Sequence, residues 1–250
     1  MTVVLAILFF IVAILYAAVG HGGGSGYLAA MALMGVDPEV MRATALTLNI
    51  LVASIGTWKF YRAGHFSGAI FWPVAATSIP FAFIGGRLTL ATAIYRPIVG
   101  LILLYAAIRL FSASLTKDKP NPAHNPSSSG RSFPLWMALL AGAGIGLLSG
   151  LVGVGGGIFL TPLLLLAGWA DTREAMGVSA AFVLVNSIAG LLGRLSDVAT
   201  LPAGLPLWLL VAGIGGWLGA EYGSRRLNTL HLRRLLALVL LIGGLKMIWA

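Results

Sequence analysis

Ten apolar runs follow one another along the chain, at about residues 2–19, 24–35, 41–58, 68–88, 96–112, 134–152, 157–168, 174–193, 204–221 and 233–249. About 20 apolar residues are needed to cross the hydrocarbon core of a bilayer as a helix. Eight of the runs reach or approach that length, whereas 24–35 and 157–168 are too short for an upright full crossing. Only 9% of the 250 residues are charged, against about 25% in a soluble domain, and so few charges cannot clothe a molecule in water. The runs therefore predict an all-α integral membrane protein with about eight full spans.

The net charge of +9 raises the question of nucleic acid. The basic residues sit in short loops between apolar runs, as the positive-inside rule has them, so nucleic acid is not expected as a partner. The absence of cysteine excludes disulfides, thiolate metal sites and cysteine nucleophiles. No Lys or Arg precedes the first apolar run, so Thr2 to Val19 reads as a span and not as a cleaved leader.

One long polar stretch, Ser112 to Arg131, splits the chain near its middle and has the composition of a flexible linker. The expected organisation is a transmembrane repeat over 1–112, a hydrophilic linker over 113–133 and a second transmembrane repeat over 134–250. The two halves match in order. Ala18-Val19-Gly20-His21-Gly22-Gly23-Gly24 pairs with Leu151-Val152-Gly153-Val154-Gly155-Gly156-Gly157, and Gly35 with Gly168 at the same offset. Ile84-Gly85-Gly86-Arg87-Leu88 pairs with Ile214-Gly215-Gly216-Trp217-Leu218, and Arg96 to Leu110 pairs with Arg233 to Met247. Four matches in one order argue for two homologous repeats of about five hydrophobic segments.

Charge bears on their orientation. If all ten runs cross, 11 of the 16 Lys and Arg residues fall on one side and 5 on the other; if the two short runs re-enter and return, the division is 8 to 8. The positive-inside rule favours the first arrangement. Five crossings per half is an odd number, so the halves would be inverted relative to each other, a common transporter plan.

A triple glycine between two apolar runs breaks the helix, and broken backbone at membrane depth must be buried in protein or line a watery cavity. The helix that follows opens with unpaired N–H groups and a positive dipole end, which favour an anion. Two such breaks converging from opposite halves would form an anion site at Gly22, Gly23 and Gly24 and at Gly155, Gly156 and Gly157; close helix packing would also account for the glycines. His21 lies inside the first cluster, where it could bond an anion, carry a coupled proton or sit at an interface. Ser25 is a hydroxyl donor or a packing residue. Among the polar residues within the following runs, Asn49, Ser179 and Asn186 are the further candidates, since an amide in hydrocarbon is costly unless bonded. Arg42, Arg87 and Arg194 read as interfacial anchors. Asp37-Pro38 and Asp171 to Glu174 read as helix openings.

No phosphate loop, zinc-protease or serine-hydrolase motif is present. No enzyme activity and no cofactor or metal are expected. At this point the residues resemble a known family. The stretch Leu148-Ser149-Gly150-Leu151-Val152-Gly153-Val154-Gly155-Gly156-Gly157-Ile158-Phe159-Leu160-Thr161-Pro162, and its less complete copy from Ala17 to Gly26, are similar to the glycine-rich turns of the TauE/SafE sulfite exporters and related anion permeases. The resemblance implies a multi-pass protein of a bacterial or archaeal inner membrane, with seven or eight spans, that moves sulfite, a sulfonate or a related small anion. The leading expectation is a secondary transporter working by alternating access. An anion channel of the same fold and a non-transporting membrane subunit are the alternatives. The expected partners are the small anion and the lipid bilayer, with a homo-oligomer of the chain left open.

Overall fold

The computed structural model describes residues 1–88, 92–115, 134–195 and 201–225, and single positions (234, 237, 238, 241, 245 and 248) near the C-terminal end. Residues 116–133 of the expected linker and most of the last apolar run lie outside the described residues. The described residues are helical, with no strand among them: α1 (Thr2–Ala18), α2 (Gly24–Leu33), α3 (Pro38–Arg62), α4 (Gly68–Arg87), α5 (Thr92–Leu115), α6 (Leu135–Val152), α7 (Gly157–Leu166), α8 (Thr172–Leu192) and α9 (Leu205–Arg225). Each falls on one of the first nine apolar runs.

Among the described residues, α3, α4, α6 and α8 are both long and apolar enough to cross a bilayer, and α1 is a shorter apolar helix. The two short helices have 10 residues each, about 15 Å at 1.5 Å per residue, or half the hydrocarbon thickness. Large apolar side chains such as Ile7, Trp72, Leu101, Leu140 and Leu210 are exposed on the outside, a surface that lipid accepts and water does not. Helix starts follow the chain's own signals. Asp37 and Asp171 are the N-caps of α3 and α8, and accept from the backbone N–H of Glu39 at 3.2 Å and of Glu174 at 2.8 Å.

The helices pack backbone to backbone. A Cβ placed on Gly142, Gly146 or Gly150 of α6 would lie within 2.3 Å of the carbonyl oxygens of Val74, Ser78 and Ala82 on α4. On α9, a Cβ on Gly215, Gly219 or Gly223 would lie 2.6, 2.2 and 2.0 Å from the carbonyls of Phe10, Ile14 and Ala18 on α1. Every fourth residue is glycine because only glycine allows that approach. The Gly-Gly pairs act alike. Gly85 meets α6 and Gly86 meets Gly190 of α8, while Gly215 meets α1 and Gly216 meets Val52 of α3.

These contacts also fix directions. Residue numbers rise together along α1 and α9, and along α3 and α9, where Leu51 meets Gly213 and Lys59 bonds Glu221. They rise together along α4 and α6, and along α4 and α8, where Ser78 meets Asn186 and Gly86 meets Gly190. They run oppositely along α3 and α8, where Leu46 meets Gly190 and Gly56 meets Ala180. So α1, α3 and α9 point one way and α4, α6 and α8 the other. Since α1 and α3 are parallel, the chain returns between them, and it does so through the glycine turn and α2. The same holds for α6 and α8, with the second turn and α7.

The three arginines divide. Arg87 is exposed, as an interfacial anchor is. Arg42 and Arg194 are packed inside the protein, 2% and 3% exposed, and correct the expectation that they reach to the interface. Arg42 is held against the second turn, its Cα about 3.2 Å from where a Cβ of Gly153 would be. Arg194 donates through Nη2 to the carbonyl of Leu88 at 2.9 Å, bonding the chain just past the end of α4, where helix carbonyls are unpaired.

Candidate functional site

Both glycine turns adopt the same unusual backbone. Gly20, Gly22, Gly23 and Gly35 have positive φ, and so do Gly153, Gly155, Gly156 and Gly168, each 133 positions further on. Side-chain-bearing residues avoid that region. The N-caps of α2 and α7 are Gly23, φ 123°, and Gly156, φ 88°. Glycine has no side chain with which to bond the first-turn N–H groups, so neither short helix is capped by its own N-cap residue.

The two turns start from different ends of α3 and α8 and meet between them. Gly20 is seated on the Met176 carbonyl near the start of α8, and Gly153 on Arg42 near the start of α3. Further along, a Cβ on Gly24 would be 2.6 Å from both Asn49 Nδ2 and the Val154 carbonyl, and one on Gly157 would be 3.3 Å from His21 Cδ2. Val183 of α8 lies at the seam: its methyls would be 2.7 to 2.8 Å from a Cβ on Gly22, Gly155 or Gly157. The whole stretch 15–32 is buried.

The polar side chains at this seam are not matched between the halves. Asn49 Nδ2 donates to the Val154 carbonyl at 3.3 Å, and its Oδ1 is buried without a partner among the described residues. His21 Nε2 lies 2.8 Å from Thr161 Oγ1 of α7, and Thr161 donates to Ser179 Oγ of α8 at 2.7 Å. Thr161 has one hydroxyl proton and gives it to Ser179, so it accepts from His21 and Nε2 carries a hydrogen. Ser187 Oγ, also buried without a partner among the described residues, would be 3.2 Å from a Cβ on Gly155.

The expected site residues thus separate. Gly22, Gly23, Gly24, Gly155, Gly156, Gly157, His21 and Asn49 come together at the seam, and Ser179 joins it through Thr161. Ser25 is turned to α1, where its hydroxyl is 2.9 Å from the Tyr16 hydroxyl. Asn186 is turned to α4, accepting from Ser78 Oγ at 2.6 Å. Its neighbour Ser187 faces the turn, because one residue along a helix rotates the side chain by about 100°. Sequence reading named neither Thr161 nor Val183 as a site residue. Thr161 stands in the quoted glycine-turn motif, but nothing in the spacing pairs it with His21.

A bundle of apolar helices with an apolar exterior and two broken helices meeting in a buried polar seam defines a multi-pass membrane transporter. The TauE family model, sulfite exporter TauE/SafE, matches residues 5–247, and the chain belongs to that family. It is 40% identical over 245 residues, covering 98% of this chain and 97% of the relative, to a protein of Sinorhizobium fredii named a probable membrane transporter. It is 25% identical over 264 residues, 98% of this chain and 94% of the relative, to a similarly named protein of Methanocaldococcus jannaschii. No solved structure matches the chain.

Proposed function

We propose that the chain is a secondary transporter of a small anion, with sulfite or a sulfonate as first choice, working by alternating access in the cell's inner membrane. The observation that carries the reading is the meeting of the two glycine turns. There the uncapped starts of α2 and α7, each with a positive dipole end, lie beside Asn49 and Ser187 in a buried seam. The anion sits between the turns, held by backbone N–H groups of Gly22 and Gly24 and of Gly155 to Gly157, the Gly23 N–H being donated to the His21 carbonyl, with Asn49 and Ser187 adding donors.

The two halves, 1–112 and 134–250, act as inverted repeats around that seam. Support comes from the shared positions of the positive-φ glycines and from the reciprocal packing of α1 on α9 and α4 on α6. The antiparallel course of α3 and α8, which hold the same place in the two halves, points the same way. The ten apolar runs of the sequence would then divide, in each half, into four spans and one half-helix, eight spans in all. Rocking of one half against the other would open the seam to each side in turn.

Binding is the direct test. Sulfite or a small sulfonate should raise the melting temperature of the purified protein in detergent, saturably, and the effect should vanish in Asn49→Leu. A wild-type protein that none of these anions stabilises would count against the site.

A further inference from the structure

We infer that anion movement is coupled to a proton and that His21 carries it; this rests on the transport reading above. A proton-coupled carrier needs a group at its binding site that gains and loses a proton near neutral pH. Of the side-chain types, imidazole is the one whose unperturbed range lies there. The buried ionisable side chains are Tyr16, Tyr27, His21, Arg42 and Arg194. An arginine does not release its proton in a protein, and a tyrosine does so only near pH 10. The described carboxylates Asp37, Glu39, Asp171, Glu174 and Glu221 are all outside the buried set.

The surroundings of His21 bear this out element by element. It follows α1, whose ionisable group is Tyr16, and precedes α2, whose ionisable group is Tyr27. Neither α6 nor α7 has an ionisable side chain. On α8 the charges are Arg173 and Glu174 in the first turn, and on α3 they are Glu39, Arg42, Lys59 and Arg62. The imidazole is thus the one buried side chain there suited to the task.

Its place is also right. His21 is part of the first turn, its ring faces Gly157 of the second, and Nε2 is fixed by Thr161. With Nε2 already bearing hydrogen, a proton is gained at Nδ1 and the ring becomes an imidazolium of charge +1. An anion in the seam stabilises that charge and is stabilised by it. Release of the anion on the other side frees the ring to lose one proton and return to neutral. One proton then accompanies each anion, and movement of a monoanion is electroneutral.

The test is methanesulfonate flux into proteoliposomes with and without an imposed pH gradient; this anion keeps one charge across the whole range, so the gradient acts only through the protein. The wild type should show a several-fold higher flux when protons are supplied on the anion's side, and in His21→Gln the ratio should fall to one. Where His21→Gln carries too little flux to measure, Thr161→Val, which removes the acceptor of Nε2, should lower the same ratio. A wild-type ratio in His21→Gln, or in Thr161→Val where that variant decides, overturns the assignment. Saturable wild-type flux that ignores the gradient overturns proton coupling and leaves the transport reading standing. Absence of saturable flux for methanesulfonate and sulfite alike overturns both.

Discussion

The side-chain amide of Asn49 donates to the main-chain carbonyl of Val154 at 3.3 Å, so a helix of the first half holds the glycine turn of the second. The residue in the matching place on α8 is Val183, 134 positions on, the same spacing that separates the two N-caps Asp37 and Asp171. One polar and one apolar side chain therefore face each other across the seam. The α3 wall of the seam presents the Asn49 amide, and the α8 wall presents the Val183 methyls with the Ser187 hydroxyl one turn further on.

Asn49→Leu keeps the size of the side chain and removes both its donor and its acceptor. It leaves the Val154 carbonyl unpaired in a buried place, at a cost of about 1–3 kcal/mol. The variant should remain folded by size-exclusion profile, melt several degrees lower, and lose most or all anion flux. Wild-type flux would remove Asn49 from the site.

Gly23→Leu and Gly156→Leu place a Cβ on left-handed backbone and into neighbours, 2.5 Å from the Tyr27 ring and 2.9 Å from Ile145 and Phe182. Both should abolish transport while the protein still inserts and folds, since the obstruction is local. Unchanged flux in both variants would falsify the glycine-turn site.

Much of this was legible in the chain. Apolar runs became helices because lipid leaves the backbone no other partner than itself. The glycine clusters and their common offset were visible because a positive φ selects glycine at each copy. Asp37 and Asp171 announced their helices by capping chemistry. Other features were not legible for physical reasons. The stripes Gly142-Gly146-Gly150 and Gly215-Gly219-Gly223 stand in the sequence, but a four-residue spacing names a contact face without naming the helix it meets. Which of Asn186 and Ser187 faces the turn depends on the rotation of α8. The burial of Arg42 depends on the second turn lying over α3, a contact between residues more than a hundred positions apart.

Those stripes carry their own prediction. Gly146→Ala and Gly219→Ala put a methyl 2.3 Å from the Ser78 carbonyl and 2.2 Å from that of Ile14. Each should cost about 1–3 kcal/mol by forcing the helices apart, read as a melting temperature several degrees lower. Gly144→Ala, on the same helix with nothing within 4 Å, should melt at or slightly above the wild type. Equal melting of all three would refute the close-packed account.

Val183→Ala takes away methyls that press on Gly22, Gly155 and Gly157. It should widen the seam, so that competition shifts toward larger sulfonates by about 10-fold relative to sulfite. Removing apolar contacts of this size changes discrimination by about 10-fold or somewhat more. An unaltered competition order would place the substrate elsewhere.

The measurement closest to the central claim is sulfite flux into proteoliposomes holding the purified wild-type protein, with sulfate, thiosulfate and small sulfonates as competitors. An anion bound between the turns and carried across requires flux that saturates and that a related anion competes away. No flux of any of these anions, from protein shown to be folded, would contradict it.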